Sequence, residues 1–170
     1  MSQSPGLRAA IDECTHQLKE RSLARIEKCL DQLSDEEIWH RPNENLVSVG
    51  NLVLHLCGNV TQWVITTFTD EPDNRVRDLE FETTDPIPKD ELLSRISDVV
   101  DRACEVIEGI DDETWAGPQR VQGTDQTGAS AVIHAVEHFS YHTGQITLHT
   151  KLAKNVGLQY YGGQDLTITE

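Results

Sequence analysis

Aromatic residues are scarce in this sequence of 170 residues: three Trp, three Tyr and three Phe, 5% of the chain. A core with so few rings is mostly aliphatic, which suits packed helices. Basic residues are also few. Fourteen Lys and Arg stand against 29 Asp and Glu, for a formal net charge of −15 and a pI near 4.7. Phosphate binding needs clustered cations, so nucleic acid is excluded as a partner, and an anionic membrane surface with it. A small-molecule ligand is not excluded, because the field inside a cleft can differ from the global one. No apolar run approaches the ~20 residues of a membrane span. CxxC pairs are absent: Cys14, Cys29, Cys57 and Cys104 are scattered. With no secretory signal ahead of them, they are expected to be reduced and mostly buried in a cytoplasmic protein. What remains, 37% hydrophobic and 25% charged residues, is the composition of an ordered chain. Its length suits a single domain over residues 1–170, with a core at about 5–154 and a tail over 155–170.

The apolar periodicity predicts an all-α protein. Ser4-Pro5 caps and opens a long helix to about Leu33, with Leu7, Ile11, Cys14 and Leu18 on one stripe and Leu23, Ile26, Leu30 and Leu33 resuming it after Arg21. Ser34-Asp-Glu-Glu37 reads as a capping box for a short helix through Trp39, stopped at Arg41-Pro42. Ser48 caps a second long helix, about Val49 to Phe68. Residues 69–88 carry three prolines and many acids, and are expected to be a crossover too polar for the core. A third long helix spans Lys89 to Ile110, a second short one Asp111 to Trp115, and a fourth long one about Ala129 to Lys154. Gly117 to Gly128 is expected to be a loop, extended only around Arg120-Val121-Gln122. Tyr160 and Tyr161 are candidate anchors for the tail. The stretches Leu33–Trp39 and Ile110–Trp115 form a weak repeat. Each closes a long helix and leads to one bearing histidine, as in a pseudo-symmetric four-helix bundle with two short connecting helices.

Of the seven histidines, His16 and His40 read as surface residues. His138 and His142 lie four apart, one turn along one helix face, a spacing that lets two imidazoles hold one metal ion. His134 continues the series, but each step of four drifts ~40° about the axis, so all three cannot easily close on one ion. Proximity to the core stripe of Val132, Ala135, Phe139 and Ile146 favours His138/His142 over His134/His138; it leaves both pairs open. His149 lies two turns beyond. A third ligand must come from elsewhere, and His55, within the apolar second helix, is the candidate; a lone histidine there is equally read as a hydrogen-bonded core residue. Gly144 also needs a reason, since glycine inside a helix costs roughly 1 kcal/mol against alanine. Close approach of another helix or a ligand would supply one. Gln145, three residues past His142, is a candidate partner for it. Glu137 could assist with protons, although as His138's neighbour it points about 100° away.

Trp39-His-Arg-Pro42, Ser48-Val-Gly50 and Leu52-Val-Leu-His55-Leu resemble the first half of the DinB-like superfamily of YfiT-type metalloenzymes. His138-Phe-Ser-Tyr-His142-Thr-Gly-Gln-Ile146 resembles its second half. The resemblance spans about Leu7 to Leu152. It implies an up-up-down-down four-helix bundle, often a homodimer, holding a divalent metal on His55, His138 and His142. Many relatives have a further histidine just before the last ligand; this chain has Tyr141 there. Characterised relatives include S-transferases and an isomerase that use low-molecular-weight thiols such as bacillithiol or mycothiol. The expected partners are therefore a small-molecule thiol and an electrophilic substrate. Zinc is the first expectation for the metal, with nickel, iron or manganese as alternatives.

Three neutral imidazoles leave a coordination position open for a thiol or water, whereas a structural zinc site closes with a fourth protein ligand. No fourth ligand is apparent; Cys57, two residues from His55, falls on the far side of its helix. That tilts the reading toward an enzyme over a non-catalytic metal-binding bundle: a thiol-dependent transferase first, with a metal-dependent hydrolase requiring the same site as its alternative.

Overall fold

The structure is a computed structural model and describes residues 3–168. The first long helix comprises α1 (Pro5–His16), a π-helical stretch Gln17–Leu23 and α2 (Ala24–Gln32). Ser4 accepts from the Leu7 amide, with Pro5 in the first turn. The π turns explain the break in the apolar stripe. Leu18 and Leu23 are both buried although five residues apart, a spacing that an α-helix would send to different faces. The second long helix has the same form: α4 (Val49–Val60), π turns Thr61–Ile65 and α5 (Thr66–Phe68). The third is α7 (Lys89–Glu108) and the fourth α9 (Gly128–Lys154). Short α3 (Asp35–Trp39), capped by Ser34, and α8 (Asp112–Ala116), capped by Asp111, occupy the two repeat positions.

Cross-bundle contacts fix the directions. Lys19 pairs with Asp101 at 2.6 Å, and Lys89 Nζ donates to the Leu33 carbonyl, so α7 runs against the first helix. Lys154 reaches Glu37 at 3.0 Å, which puts the end of α9 beside the end of the first helix. His55 meets His138 while Trp63 meets His134, so α4 runs against α9. The all-α bundle therefore runs up, down, down, up in chain order, where the resemblance implies up-up-down-down. Short connections join antiparallel neighbours, and the long crossover joins the parallel pair α4 and α7. The core between them is aliphatic, with Phe139 and Trp63 its only aromatic members among the described residues.

Two connections differ from expectation. Residues 117–128 form a hairpin, β1 (Pro118–Val121) antiparallel to β2 (Thr124–Thr127). Gln122 (φ 51°) and Gly123 (φ 75°) supply the two positive φ angles that a two-residue turn of this hand requires. The crossover is not purely a surface strap. It contains α6 (Arg77–Glu82), which packs on α4 and buries Glu80.

What docks α6 is the paired stretch 39–51. Asn51, fully buried, donates to the carbonyls of Glu80 and Thr83, both at 2.9 Å. Its Oδ1 accepts from Arg41, which also donates to the Phe81 carbonyl. Trp39 donates to the Ile87 carbonyl at 3.0 Å and lies flat over Gly50, where a Cβ would sit 2.8 Å from the indole. In the tail, Tyr160 anchors on Thr147 (2.7 Å) and Cys29 (3.2 Å), while Tyr161 stays half exposed. Cys29 and Cys104 are buried; Cys14 and Cys57 are partly so.

Candidate metal centre

His55 lies within α4, and His138 and His142 sit midway along α9. One ring nitrogen from each lies within 4.8 Å of the other two. His55 Nε2 and His138 Nε2 are 2.8 Å apart, and the His138 and His142 ring centroids 4.4 Å. His134 is not part of this group. It packs against Trp63, centroids 3.8 Å apart, and stacks on His138 at 5.5 Å, walling the cluster on one side. His149 lies at the far end of α9, near Leu33, Val49 and Leu152. His16 is exposed, and His40 stands outside the cluster, after α3.

The tautomers follow from the partners. His55 Nδ1 lies 2.8 Å from Glu80 Oε2, and Glu80 is gripped from its other side by Arg75 through Nε (2.7 Å) and Nη2 (2.9 Å). Burial opposes ionisation of Glu80, but the hydrogen bonds from Arg75 and His55 outweigh it and hold the carboxyl below its usual range. Arg75 Nη2 is the more distant neighbour of His55 Nδ1, at 3.2 Å. The ionised carboxylate, closer at 2.8 Å, can only accept, so His55 Nδ1 carries the proton and its Nε2 presents a lone pair. His142 Nδ1 lies 2.6 Å from Gln145 Oε1, another atom that can only accept, so His142 Nε2 is likewise free. His138 is pushed down to about 3 by burial and by the neighbouring rings of His142, His55 and His134. Burial also lowers His142.

His138 and His142 are therefore held as neutral imidazoles, the form that ligates metal. The His55 and His138 Nε2 atoms, 2.8 Å apart, are at hydrogen-bond distance. A convergent all-imidazole donor set, with the outer nitrogens of His55 and His142 tied back, fits a divalent ion. Among the described residues no Cys, Asp or further His joins the group. Burial pushes the Cys57 thiol up to about 12, with Arg95 of α7 and Glu80 as its nearby charges, and its sulfur is not among the convergent donors.

A family model described as a protein of unknown function, DUF1572, matches residues 8–161. The chain belongs to the DUF1572 family. Two solved structures show the same fold as this DUF1572 chain. A conserved protein from Enterococcus faecalis has 17% identity and a TM-score of 0.68, covering 85% of this chain and 97% of that one. A DinB-like protein from Bacillus cereus ATCC 10987 has 17% identity and a TM-score of 0.58, covering 78% and 85%. The bundle is thus DinB-like. No curated protein matches the sequence.

The candidates read from sequence divide cleanly. Gln145 touches His142. Glu137 is exposed on the outward face of α9, so a proton role in the cluster is not supported by its position. A Cβ at Gly144 would have nothing within 4 Å, so no helix or ligand of this chain approaches it. The crowded glycine is Gly58, one turn after His55. A Cβ there would collide with Glu80 Oε1 and fall 3.0 Å from Arg75 Nε. Gly58 is the seat of the Glu80–Arg75 pair, and a glycine three residues past a helical histidine was the signal for it. Gly58→Ala should displace Glu80 from His55 and weaken Zn²⁺ binding by roughly tenfold, the lower end for loss of an outer-sphere partner. Competition titration against a chromogenic chelator measures this, and unchanged affinity would show that Glu80 does not orient His55.

Proposed function

We propose that His55, His138 and His142 hold a divalent metal, zinc first, and that the chain is a thiol-dependent S-transferase acting on an electrophilic small molecule. The observation that carries this reading is the donor set: three imidazoles converge, two have their outer nitrogens fixed, and no fourth protein ligand joins them among the described residues. A divalent ion held by His55, His138 and His142 would supply Lewis acidity, which favours the thiolate form of a thiol near neutral pH. The chain's own residues do the rest. Glu80 keeps the His55 proton on Nδ1, and Gln145 keeps that of His142 on Nδ1. His134 packed against Trp63 on one side and Phe81, 4.8 Å from the His55 ring, on another limit water around the rings. The Arg75 side chain is buried and donates to Glu80 and Gln62, so its part is to hold the Glu80 carboxylate against His55.

The test is a panel of low-molecular-weight thiols, each incubated with an aromatic electrophile and with metal-loaded or chelated protein. One thiol should be consumed only with metal-loaded protein, and His138→Ala should abolish that consumption. Cleavage of activated esters or amides without thiol turnover would replace the transferase with a hydrolase. No reaction in either assay, with metal bound, would leave a metal-binding protein without catalysis.

A further inference from the structure

Cations are few in this chain, and many of those on its surface lie against acids. Arg8, Lys19, Arg95, Arg102, Arg120 and Lys154 each pair with an Asp or Glu. Arg21, Arg25 and Lys28 pair with none among the described residues. They follow one another at steps of four and three along the first helix. Like charges about one turn apart on a helix repel. In a chain with 29 acids and 14 bases, three adjacent cations without an acid are a departure that the packing does not require.

The C-terminal tail turns this row into a groove. Leu158 is buried and Tyr160 is anchored on Thr147 and Cys29, so the tail is held across the first helix. Tyr160 and Tyr161 face the three cations across a cavity of about 450 Å³, within the usual range for small-molecule sites. The Arg25 guanidinium lies 5.1 Å from the Tyr160 ring centroid and 5.6 Å from that of Tyr161, and it donates to the Tyr161 hydroxyl at 3.2 Å. Lys28 donates to the Gln159 carbonyl at 3.2 Å. Both acceptors are neutral, so they orient the cations and leave the charge uncompensated. Glu20 also lines the groove but pairs with none of the three. The net charge of −15 repels anions at long range, but salt screens that field beyond about 8 Å. The cations in contact with a ligand therefore decide what binds here.

We propose that this groove is an anion site for the diphosphate group of a soluble small molecule. Guanidinium forks fit phosphate oxygens two at a time. One phosphate ester carries about −1.5 to −2 near neutral pH, which leaves part of three cations uncompensated, whereas a diphosphate matches them. The row from Arg21 to Lys28 also spans about 10 Å of helix axis, more than one phosphate covers. Three cations are too few for a nucleic-acid backbone, whose binding uses roughly 6–10 phosphate contacts. No residue of the histidine cluster lines the groove, so the inference is independent of the metal reading.

Isothermal titration calorimetry of the full chain with inorganic pyrophosphate tests it, after dialysis to remove metal so that no ion bridges ligand and protein. Saturable binding of one pyrophosphate is expected, roughly tenfold or more tighter than that of orthophosphate or citrate. Arg21→Gln, Arg25→Gln and Lys28→Gln should each weaken it roughly tenfold, the loss of one charge-assisted contact. Lys151→Gln removes the same charge from an exposed, unpaired lysine on α9 and should stay within about two-fold. Circular dichroism should show every variant folded. Absence of saturable binding overturns the proposal, and so does equal weakening by Lys151→Gln, which would reduce the effect to net charge. Binding that survives the triple variant Arg21→Gln/Arg25→Gln/Lys28→Gln places the anion elsewhere and overturns it too. Citrate binding as tightly as pyrophosphate overturns the diphosphate assignment.

Discussion

His138→Ala and His142→Ala should each bind Zn²⁺ more than about 100-fold more weakly than the parent chain, since loss of an outer-sphere partner alone costs roughly 10–100-fold. His55→Ala should match them. His134→Ala should not: its ring packs on Trp63 and His138 and offers no nitrogen to the cluster, so its affinity should stay within a few-fold. This contrast is sharp because His134, His138 and His142 share one helix and one spacing. Metal content after dialysis, together with chelator competition, measures it. Circular dichroism on the metal-free variants separates loss of a ligand from loss of the fold. Tight binding by His142→Ala together with weak binding by His134→Ala would transfer the site to the His134/His138 pair and remove the basis of the proposed function.

The four long helices were legible because their apolar stripes are regular and their caps conventional. Ser4, Ser34, Ser48 and Asp111 all cap through their side chains, at the residues where the sequence places helix starts. Even the π turns left a mark, in the five-residue step from Leu18 to Leu23. The stretch 69–88 was not legible, for a physical reason. Local composition reports average polarity, and Arg75 and Glu80 are polar residues whose burial depends on His55, 20 and 25 positions away in the chain. They cancel each other's charge and share the remaining contacts with His55 and Gln62. Nothing at that distance shows as periodicity. Gly58 was the local trace of the pair, and Asn51 and Arg41 the trace of what docks the segment. Gly144 is the more conspicuous glycine in the sequence because it stands next to the histidine motif, but its surroundings place it on the outer face.

Arg75→Met should destabilise the metal-free protein by about 3–5 kcal/mol, the cost of leaving one member of a buried ion pair uncompensated. Arg75 and Glu80 side chains are 4% and 10% exposed, so water does not replace the lost guanidinium. The change should also reach the metal. With Arg75 gone, Glu80 loses the cation that holds it ionised and takes up a proton more readily. It then holds the His55 Nδ1 proton less firmly. That weakens His55 as a ligand, and affinity for Zn²⁺ should fall about 10–100-fold. The double variant Arg75→Met/Glu80→Gln distinguishes charge from orientation. It removes both charges while the introduced amide oxygen can still accept from His55 Nδ1, so urea unfolding should show much of the lost stability restored. Metal affinity should recover only in part, because a neutral amide is a weaker acceptor than a carboxylate and leaves the imidazole less basic. Full recovery of both would mean that Glu80 and Arg75 serve only to fill the space over Gly58. Recovery of neither would mean that Arg75 stabilises the crossover through Gln62 and not through Glu80.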